Sequence, residues 1–208
     1  MGRWGMCLFQ GDQDCEIRGD IECTMGLTSD GDDEYDAEKE LESPAFRKKL
    51  DAGLCDKLFK DCRSNENGGF LLSLFPDGKM RTVLLAAMVM QSGAKISDDN
   101  MQHLREIVPR IHSSPGYAWP FNDNGFRDPG KVQFLAALEY YKPGTPRTFC
   151  EMSCYHCGKI EADLGKQLSL CARCKVASYC DQDCQKAHWK AHKPSCFDHK
   201  NPPVMLNV

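Results

Sequence analysis

The sequence lacks a long hydrophobic run. Hydrophobic residues make up 41% of the 208 residues, yet the longest uninterrupted apolar stretch has eight residues, Val83–Met90. A membrane-spanning helix needs about 20 such residues, so no such helix is expected. The stretch Met1–Met6 also lacks the charged and then apolar pattern of a secretory signal. We therefore expect an intracellular protein, cytoplasmic or nuclear, without a membrane partner.

The sequence also lacks the motifs of common catalytic sites. It has no glycine-rich phosphate loop ahead of a helix, no His-Glu-x-x-His pair and no His-x-Asp motif for iron. His103 and Glu106 would share one face of a helix, where a structural role is the simpler interpretation. We predict no catalytic residues and no enzyme activity.

The sequence has no excess of basic residues. The chain has 26 basic and 30 acidic residues, for a net charge of −4 and a pI near 5.9. Proteins that bind nucleic acids through bulk charge are basic, so this balance disfavours a nucleic-acid partner. Residues 30–42 alone contain eight carboxylates and one lysine. We predict an acidic loop there, and a docking segment for a basic partner is the alternative.

Residues 43–148 show helical patterns. Ser43 followed by Pro44 is typical of a helix start. Four apolar residues then recur at every fourth position and predict one helix face: Phe46, Leu50, Leu54 and Leu58. Breaks are expected at Asn67–Gly69 and at Pro76–Gly78. Residues 1–28 show no sustained period.

Three further helices are predicted downstream. Lys79–Gln91 is apolar nearly all round, as expected for a central buried helix that ends at Gly93. Ser97 begins the next helix, which Pro109 interrupts or ends, and a loop follows over residues 113–126. The last helix starts at Asp128-Pro129 and is expected to turn four residues inward: Val132, Leu135, Ala136 and Leu138. Residues 143–146 are predicted to be a linker.

Cysteine is abundant and clustered. The chain has 13 cysteines, eight of them between residues 150 and 196. An odd number without a secretory signal argues against a disulfide framework and favours metal binding. The residues with ligand spacing form four pairs: Cys154 with Cys157, Cys171 with Cys174, Cys180 with Cys184, and His192 with Cys196.

Eight such ligands suit two tetrahedral Zn²⁺ ions with no open position, which predicts structural rather than catalytic zinc. A segment with few large aliphatic residues needs that metal, which contributes about 10 kcal/mol or more to folding in such modules. A helix over residues 181–192 would place Cys184, His188 and His192 on one face. Spacing alone leaves both sequential and interleaved pairing of the ligands open. Cys150, His188 and His199 are expected to lie outside the ligand set.

Three runs within Cys154–Cys196 resemble the MYND-type zinc finger: Cys-Tyr-His-Cys-Gly-Lys, Cys-Ala-Arg-Cys-Lys-Val-Ala-Ser-Tyr-Cys, and Asp-Cys-Gln-Lys-Ala-His-Trp-Lys-Ala-His-Lys-Pro-Ser-Cys. The resemblance covers a fifth of the chain. The thirteen-residue gap after Cys157 is long for this family and is expected to form a surface loop. The family's interleaved ligation implies one zinc on Cys154, Cys157, Cys180 and Cys184, and the other on Cys171, Cys174, His192 and Cys196.

The resemblance also implies a function in protein–protein interaction, often with short proline-rich peptides. Gln185 and Trp189 match positions that line the family's peptide cleft, although Trp189 could instead only cover a zinc site. The finger also occurs in SET-domain lysine methyltransferases, but this chain lacks their Asn-His-Ser-Cys stretch. The ligand order also differs from that of RING ubiquitin ligases, because the last pair here is His-x3-Cys.

The stretch Met1–Gly5 is similar to the opening of small, functionally uncharacterised fungal domains with the pattern Met-Gly-x-Trp-Gly. The resulting prediction is a mainly α protein with two domains. Residues 1–148 form a mostly helical domain of unknown function, and residues 149–200, here called the cysteine-rich module, form a cross-braced zinc finger that acts as an adaptor. The alternatives are a small enzyme in the helical domain with a substrate-recruiting finger, or a purely structural finger.

Overall fold

The computed structural model describes residues 5–28, 36–66, 78–114, 125–127 and 129–200. It is mainly helical, as predicted. Its helices are α1 (Asp12–Met25), α2 (Ala37–Leu41), α3 (Pro44–Lys49), α4 (Cys55–Asn65), α5 (Gly78–Ser92), α6 (Asp98–Ile107), α7 (Gly130–Tyr140), α8 (Glu161–Leu164) and α9 (Gln182–His192). Strands β1 (Ser113–Ser114) and β2 (Phe126–Arg127) pair in parallel, and β3 (Ser169–Leu170) and β4 (Ser178–Tyr179) pair antiparallel. None of the described helices is long and apolar enough to cross a membrane.

Helix α5 is the centre of the helical region, as its composition predicts. Its side chains are buried from Thr82 to Ser92, and it contacts α1, α2, α4 and α6. A helix covered on all sides needs no polar face, which explains the weak periodicity of its sequence. It ends at the predicted Gly93, which has the left-handed conformation common after helices.

Helix α1 lies where the sequence predicts no regular element. Its residues Ile17, Ile21 and Met25 are four positions apart and buried, and the helix packs against α5. Charged residues fill most other positions, so the apolar stripe is one residue per turn. A stripe this narrow gives a weak periodic signal, and tertiary packing supplies the rest of the stabilisation.

The acidic segment is helical in part, so the prediction of a loop is wrong for α2; residues 29–35 lie outside the described residues. The Asp36 carboxylate accepts hydrogen bonds from the first backbone N–H groups of α2 and caps the helix. Leu41 is fully buried. Gln91 of α5 donates a hydrogen bond to Glu38, at 2.9 Å. A cap and one buried leucine thus order a segment whose charge suggested only solvation.

The predicted helix after Ser43 is interrupted. Ser43 Oγ accepts a hydrogen bond from the N–H of Phe46 at 3.1 Å, which confirms the helix start. The chain then passes through a wider π-helical turn, Leu50–Leu54, in which Gly53 has a φ of 114°. Helix α4 continues beyond this kink. Of the four expected inward residues, three are buried and Leu54 is half-buried.

Helix α6 begins after Ser97, as predicted, and a tight 3₁₀ turn at Val108–Arg110 containing Pro109 follows it. Helix α7 begins directly after Pro129. The expected breaks at 67–69 and 76–77, and most of the loop over 113–126, lie outside the described residues.

The inward face of α7 differs from the prediction. Ala136 and Leu138 are buried as expected, but Val132 is half-buried and Leu135 is 36% exposed. Phe134 is fully buried instead. The predicted face is wrong because α7 packs on two sides, against α6 and against the cysteine-rich module.

The backbones of α7 and the cysteine-rich module approach each other closely. Gly158 has a φ of 75°, and a Cβ atom there would lie 1.8 Å from the backbone oxygen of Val132. Gln133 Nε2 donates a hydrogen bond to the backbone oxygen of Glu151 at 3.1 Å. Only glycine allows the module to approach α7 this closely.

A buried ion pair also connects the cysteine-rich module to the helical region. Arg147 donates two hydrogen bonds to the Asp163 carboxylate, at 2.7 and 2.8 Å, and each side chain is only 6% exposed. Burial raises the pKa of Asp163, but the guanidinium and the N–H of Ile160 outweigh this effect and lower the pKa. The expected surface loop after Cys157 therefore contains α8 and contacts the helical region. The division at residue 148 stays a prediction.

Candidate metal centre

Two turns of similar design present the Cys-x2-Cys pairs. In one, the backbone oxygen of Cys154 accepts the N–H of Gly158 at 2.8 Å; in the other, the oxygen of Cys171 accepts the N–H of Lys175 at 2.9 Å. Lys175 has a φ of 57°, in the left-handed region, as does Gly158. Each turn therefore folds back on its first cysteine and points both sulfurs to one side.

Helix α9 presents ligands at both of its ends. Asp181 caps the helix by accepting a hydrogen bond from the N–H of Cys184 at 2.9 Å. Cys184 lies in the first turn and His192 ends the helix. Eight residues of helix separate them by about 12 Å, which is too far for a shared ion. A 3₁₀ turn then returns the chain so that Cys196 lies beside His192.

The structure brings the ligands together in two interleaved groups. The first group is Cys154, Cys157, Cys180 and Cys184, and the second is Cys171, Cys174, His192 and Cys196. Within each group the candidate ligand atoms lie within 4.8 Å of one another. These are the two sets that the family resemblance implies, and each set is suited to one zinc ion.

The distances within the groups fit tetrahedral zinc. Zn–S bonds of about 2.3 Å and Zn–N bonds of about 2.0 Å place two sulfurs about 3.8 Å apart, and a sulfur and a nitrogen about 3.5 Å apart. Cys157 and Cys180 have sulfurs 3.4 Å apart. The sulfurs of Cys171 and Cys196 are 3.8 Å apart. Cys174 Sγ lies 3.5 Å from His192 Nε2.

One thiol in each group ionises readily. Burial raises the pKa of Cys154, but the backbone N–H groups of Cys157, Cys180 and His156 together lower it. The pKa of Cys171 falls to about 6 by the same balance, with burial opposed by the N–H groups of Cys174 and Arg173. Backbone donors aimed at a sulfur stabilise its thiolate, which is the form that binds metal.

Two of the other thiols, Cys184 and Cys196, resist ionisation. Burial, and then the charge of Cys154, raise the pKa of Cys184 to about 12. Burial and the hydrogen bond with Cys171 raise that of Cys196 to about 11. Several thiolates in one group repel each other, and a divalent cation offsets that repulsion. Metal binding is therefore expected to release protons.

The spare candidates lie outside both groups. Cys150 is exposed. His188 is hydrogen-bonded to the hydroxyl of Tyr179 at 3.1 Å and stacks on the ring of His192. His199 Nδ1 lies 3.0 Å from the backbone oxygen of Arg173. His188 therefore packs against the ligand candidate His192 and is not one of the eight grouped donors.

A groove of about 350 Å³ runs along the outer face of α9. Among the described residues, four side chains line it: Gln182, Gln185, Lys186 and Trp189. Trp189 is 38% exposed, and its ring lies edge-on to that of His192, with centroids 6.0 Å apart. Gln182 and Lys186 were missed in the sequence, although the spacing i, i+3, i+4, i+7 places all four on one helix face.

A family model described as the MYND finger matches residues 154–196. These residues form a MYND finger. No solved structure gives a significant match to the chain. MYND fingers are known protein–protein interaction modules.

Three similar proteins illustrate the extent of the match. The N-lysine methyltransferase SMYD2-A of Danio rerio is 33% identical over 79 residues, which are 34% of this chain and 18% of the relative. A SET and MYND domain-containing protein of Dictyostelium discoideum is 47% identical over 45 residues, 21% of this chain and 8% of the relative. The MYND-type zinc finger protein samB of Aspergillus clavatus is 44% identical over 48 residues, 23% and 8% of the two chains.

The chain thus spans less than a fifth of the length of these relatives. The methyltransferase matches cover only the finger region, so they do not show an enzyme role for this chain. What is common to all three is the finger itself. The expectations of no enzyme activity and of an intracellular location stay predictions.

Proposed function

We propose that the MYND finger acts as an adaptor, and that the groove along α9 binds short, extended, proline-rich segments of other proteins. The observation that carries this proposal is the joint position of Gln185 and Trp189. They lie one turn apart on α9 and line the same groove. The indole of Trp189 is 38% exposed, although it is large and apolar.

The chemistry of the groove suits such a ligand. An indole presents a flat apolar face on which proline and leucine side chains pack well. Proline has no N–H, so a proline-rich segment offers mainly carbonyl acceptors. The side-chain amides of Gln182 and Gln185 supply N–H donors for these carbonyls. Lys186 contributes a cation to the described lining.

The two metal centres would hold this groove rigid. Cys184 belongs to one group and His192 to the other, so bound zinc would anchor both ends of α9. A binding surface that is already ordered loses little entropy when a ligand binds. Zinc, bound by four protein ligands at each centre, would supply structural stabilisation, with no open position for a reacting water.

The test is an NMR titration of the isotope-labelled full chain with a synthetic peptide containing Pro-Ala-Leu-Ala-Pro. We expect shifts centred on Gln185 and Trp189. Trp189→Ala is expected to weaken binding about 30-fold, as for a central aromatic contact, while both zinc ions are retained. Met152→Ala removes another exposed apolar side chain of the module, 58% exposed, and is the matched control. Equal loss in both variants, or shifts elsewhere, would contradict the assignment of the groove.

A further inference from the structure

We propose that the groove along α9 also binds a segment of this same chain, Pro202–Leu206, which then competes with external ligands. This inference rests on the proposed function and adds regulation of the same site. Its basis is the composition of the segment and its distance from the groove along the chain.

The segment has the chemistry that the groove would select. The sequence after Lys200 reads Asn-Pro-Pro-Val-Met-Leu-Asn-Val, with two adjacent prolines, four large apolar residues and no charged side chain. These residues lie outside the described part of the structure, so only their sequence enters here. Adjacent prolines favour the extended polyproline conformation, which lowers the entropy lost on binding. A segment without charged side chains also suits the described part of the lining, which has two amides, one indole and one lysine.

Three contacts set an upper limit on the distance between His199, near the end of the described chain, and the groove. The N–H of His199 donates to the backbone oxygen of Arg173 at 3.1 Å. The next residue, Cys174, has its sulfur 3.5 Å from His192 Nε2. The ring of His192 is 6.0 Å from that of Trp189. With the covalent spans between these atoms, His199 lies within about 20 Å of the indole.

The connecting chain is long enough to bridge that distance. An extended chain spans about 3.3 Å per residue, so Leu206, seven residues after His199, reaches about 23 Å. Val204 reaches only about 17 Å, so Met205, at about 20 Å, and Leu206 are the residues whose reach covers the upper limit. The connecting chain is therefore long enough for the segment to reach the indole of Trp189.

Because the segment is covalently attached to the finger, it can occupy the groove even if its intrinsic affinity is weak. A short connection gives a local concentration of about 1 mM, so a site with a dissociation constant of about 0.1 mM is occupied about nine-tenths of the time. An external peptide then binds about tenfold more weakly than it does to the open groove.

The test compares peptide affinity in three full-length proteins: the natural chain, the triple variant Pro202→Ala/Pro203→Ala/Leu206→Ala, and the control Asn201→Ala/Asn207→Ala. The probe is the synthetic Pro-Ala-Leu-Ala-Pro peptide, followed by the indole N–H signal of Trp189. We expect the triple variant to bind about tenfold more tightly than the other two proteins, since only it opens the groove. A free peptide of residues 201–208 should shift the same signal in the triple variant.

Other outcomes separate this inference from the proposed function. Equal affinity in all three proteins would overturn the inference and leave the proposed function standing. Absence of peptide binding to every protein would overturn both. If the Trp189 signal of the natural chain changes on dilution, the segment is exchanged between copies, which contradicts occupancy within one chain.

Discussion

The helical region and the MYND finger are held together by different means. The helical core is apolar and continuous, and it includes every side chain of α5 from Val83 to Met90. The finger has seven buried core residues, of which five are cysteines of the metal groups; the other two are Ala177 and Tyr179. Burial stabilises the first region. In the finger the metal replaces a core that is too small to suffice.

Because the two regions are stabilised differently, different treatments should unfold them, although contacts between the regions couple their stabilities. Chelators should act on the finger, and apolar truncations on the helical region. The close contact at Gly158 and the ion pair between Arg147 and Asp163 connect the two. The variants below test the contrast first and then the coupling.

The largest effect is expected for Cys171→Ala. This change removes a ligand of the second metal group, so one zinc should be lost together with about 10 kcal/mol of metal-dependent stabilisation of the finger. Elemental analysis gives the zinc content, and NMR should show that α5 remains folded. Cys150→Ala, at an exposed cysteine outside both groups, should retain both zinc ions. Two zinc ions in the Cys171 variant would disprove its assignment as a ligand.

Leu84→Ala tests the other side of the contrast. Leu84 is fully buried in α5, and truncation in a packed core costs about 4 kcal/mol. Urea denaturation should show this loss while the zinc content stays at two. Leu135→Ala on α7, where the side chain is 36% exposed, should cost only about 0.5 kcal/mol. A comparable loss in both variants would mean that Leu135 is buried, contrary to the structure.

Asp163→Asn tests the coupling through charge. It leaves the buried Arg147 guanidinium without a counter-charge, which is expected to cost about 3 kcal/mol of unfolding free energy. The matched control is Asp183→Asn, since Asp183 pairs with Lys186 on the surface, with side chains 92% and 74% exposed. That control should be nearly neutral. If the rate of limited proteolysis between residues 140 and 150 is the same in Asp163→Asn as in the natural chain, the ion pair does not hold the finger against the helical region.

The smallest difference is expected between two glycines of the finger. Gly158 and Gly165 both have left-handed backbones, with φ of 75° and 63°, but only Gly158 meets another backbone. Gly165→Ala should cost about 1 kcal/mol from conformation alone. Gly158→Ala should cost about 2 kcal/mol more, because the module must move away from α7. Equal costs by urea denaturation would show that the close approach contributes nothing.

Local sequence patterns determined the finger, the central helix and several helix starts. Soft ligands in pairs at fixed spacing identify the finger, because few other arrangements of cysteine and histidine satisfy two tetrahedral ions. The continuous apolar run Val83–Met90 likewise identifies the central helix. The caps at Ser43 and Asp181 depend on residues within one turn, so the starts of α3 and α9 could be read directly.

Only the tertiary structure decided the features that depend on distant partners. Helix α1 is stabilised by its packing on α5, and its own one-residue stripe is too weak a signal. The exposure of Leu135 follows from the second contact surface of α7. Nothing near Gly158 or Asp163 in the sequence names Val132 or Arg147 as partners, since these contacts form only when the finger packs against the helices. Caps and ligand pairs depend on neighbouring residues and can be predicted from the sequence, whereas packing between separate elements depends on long-range geometry.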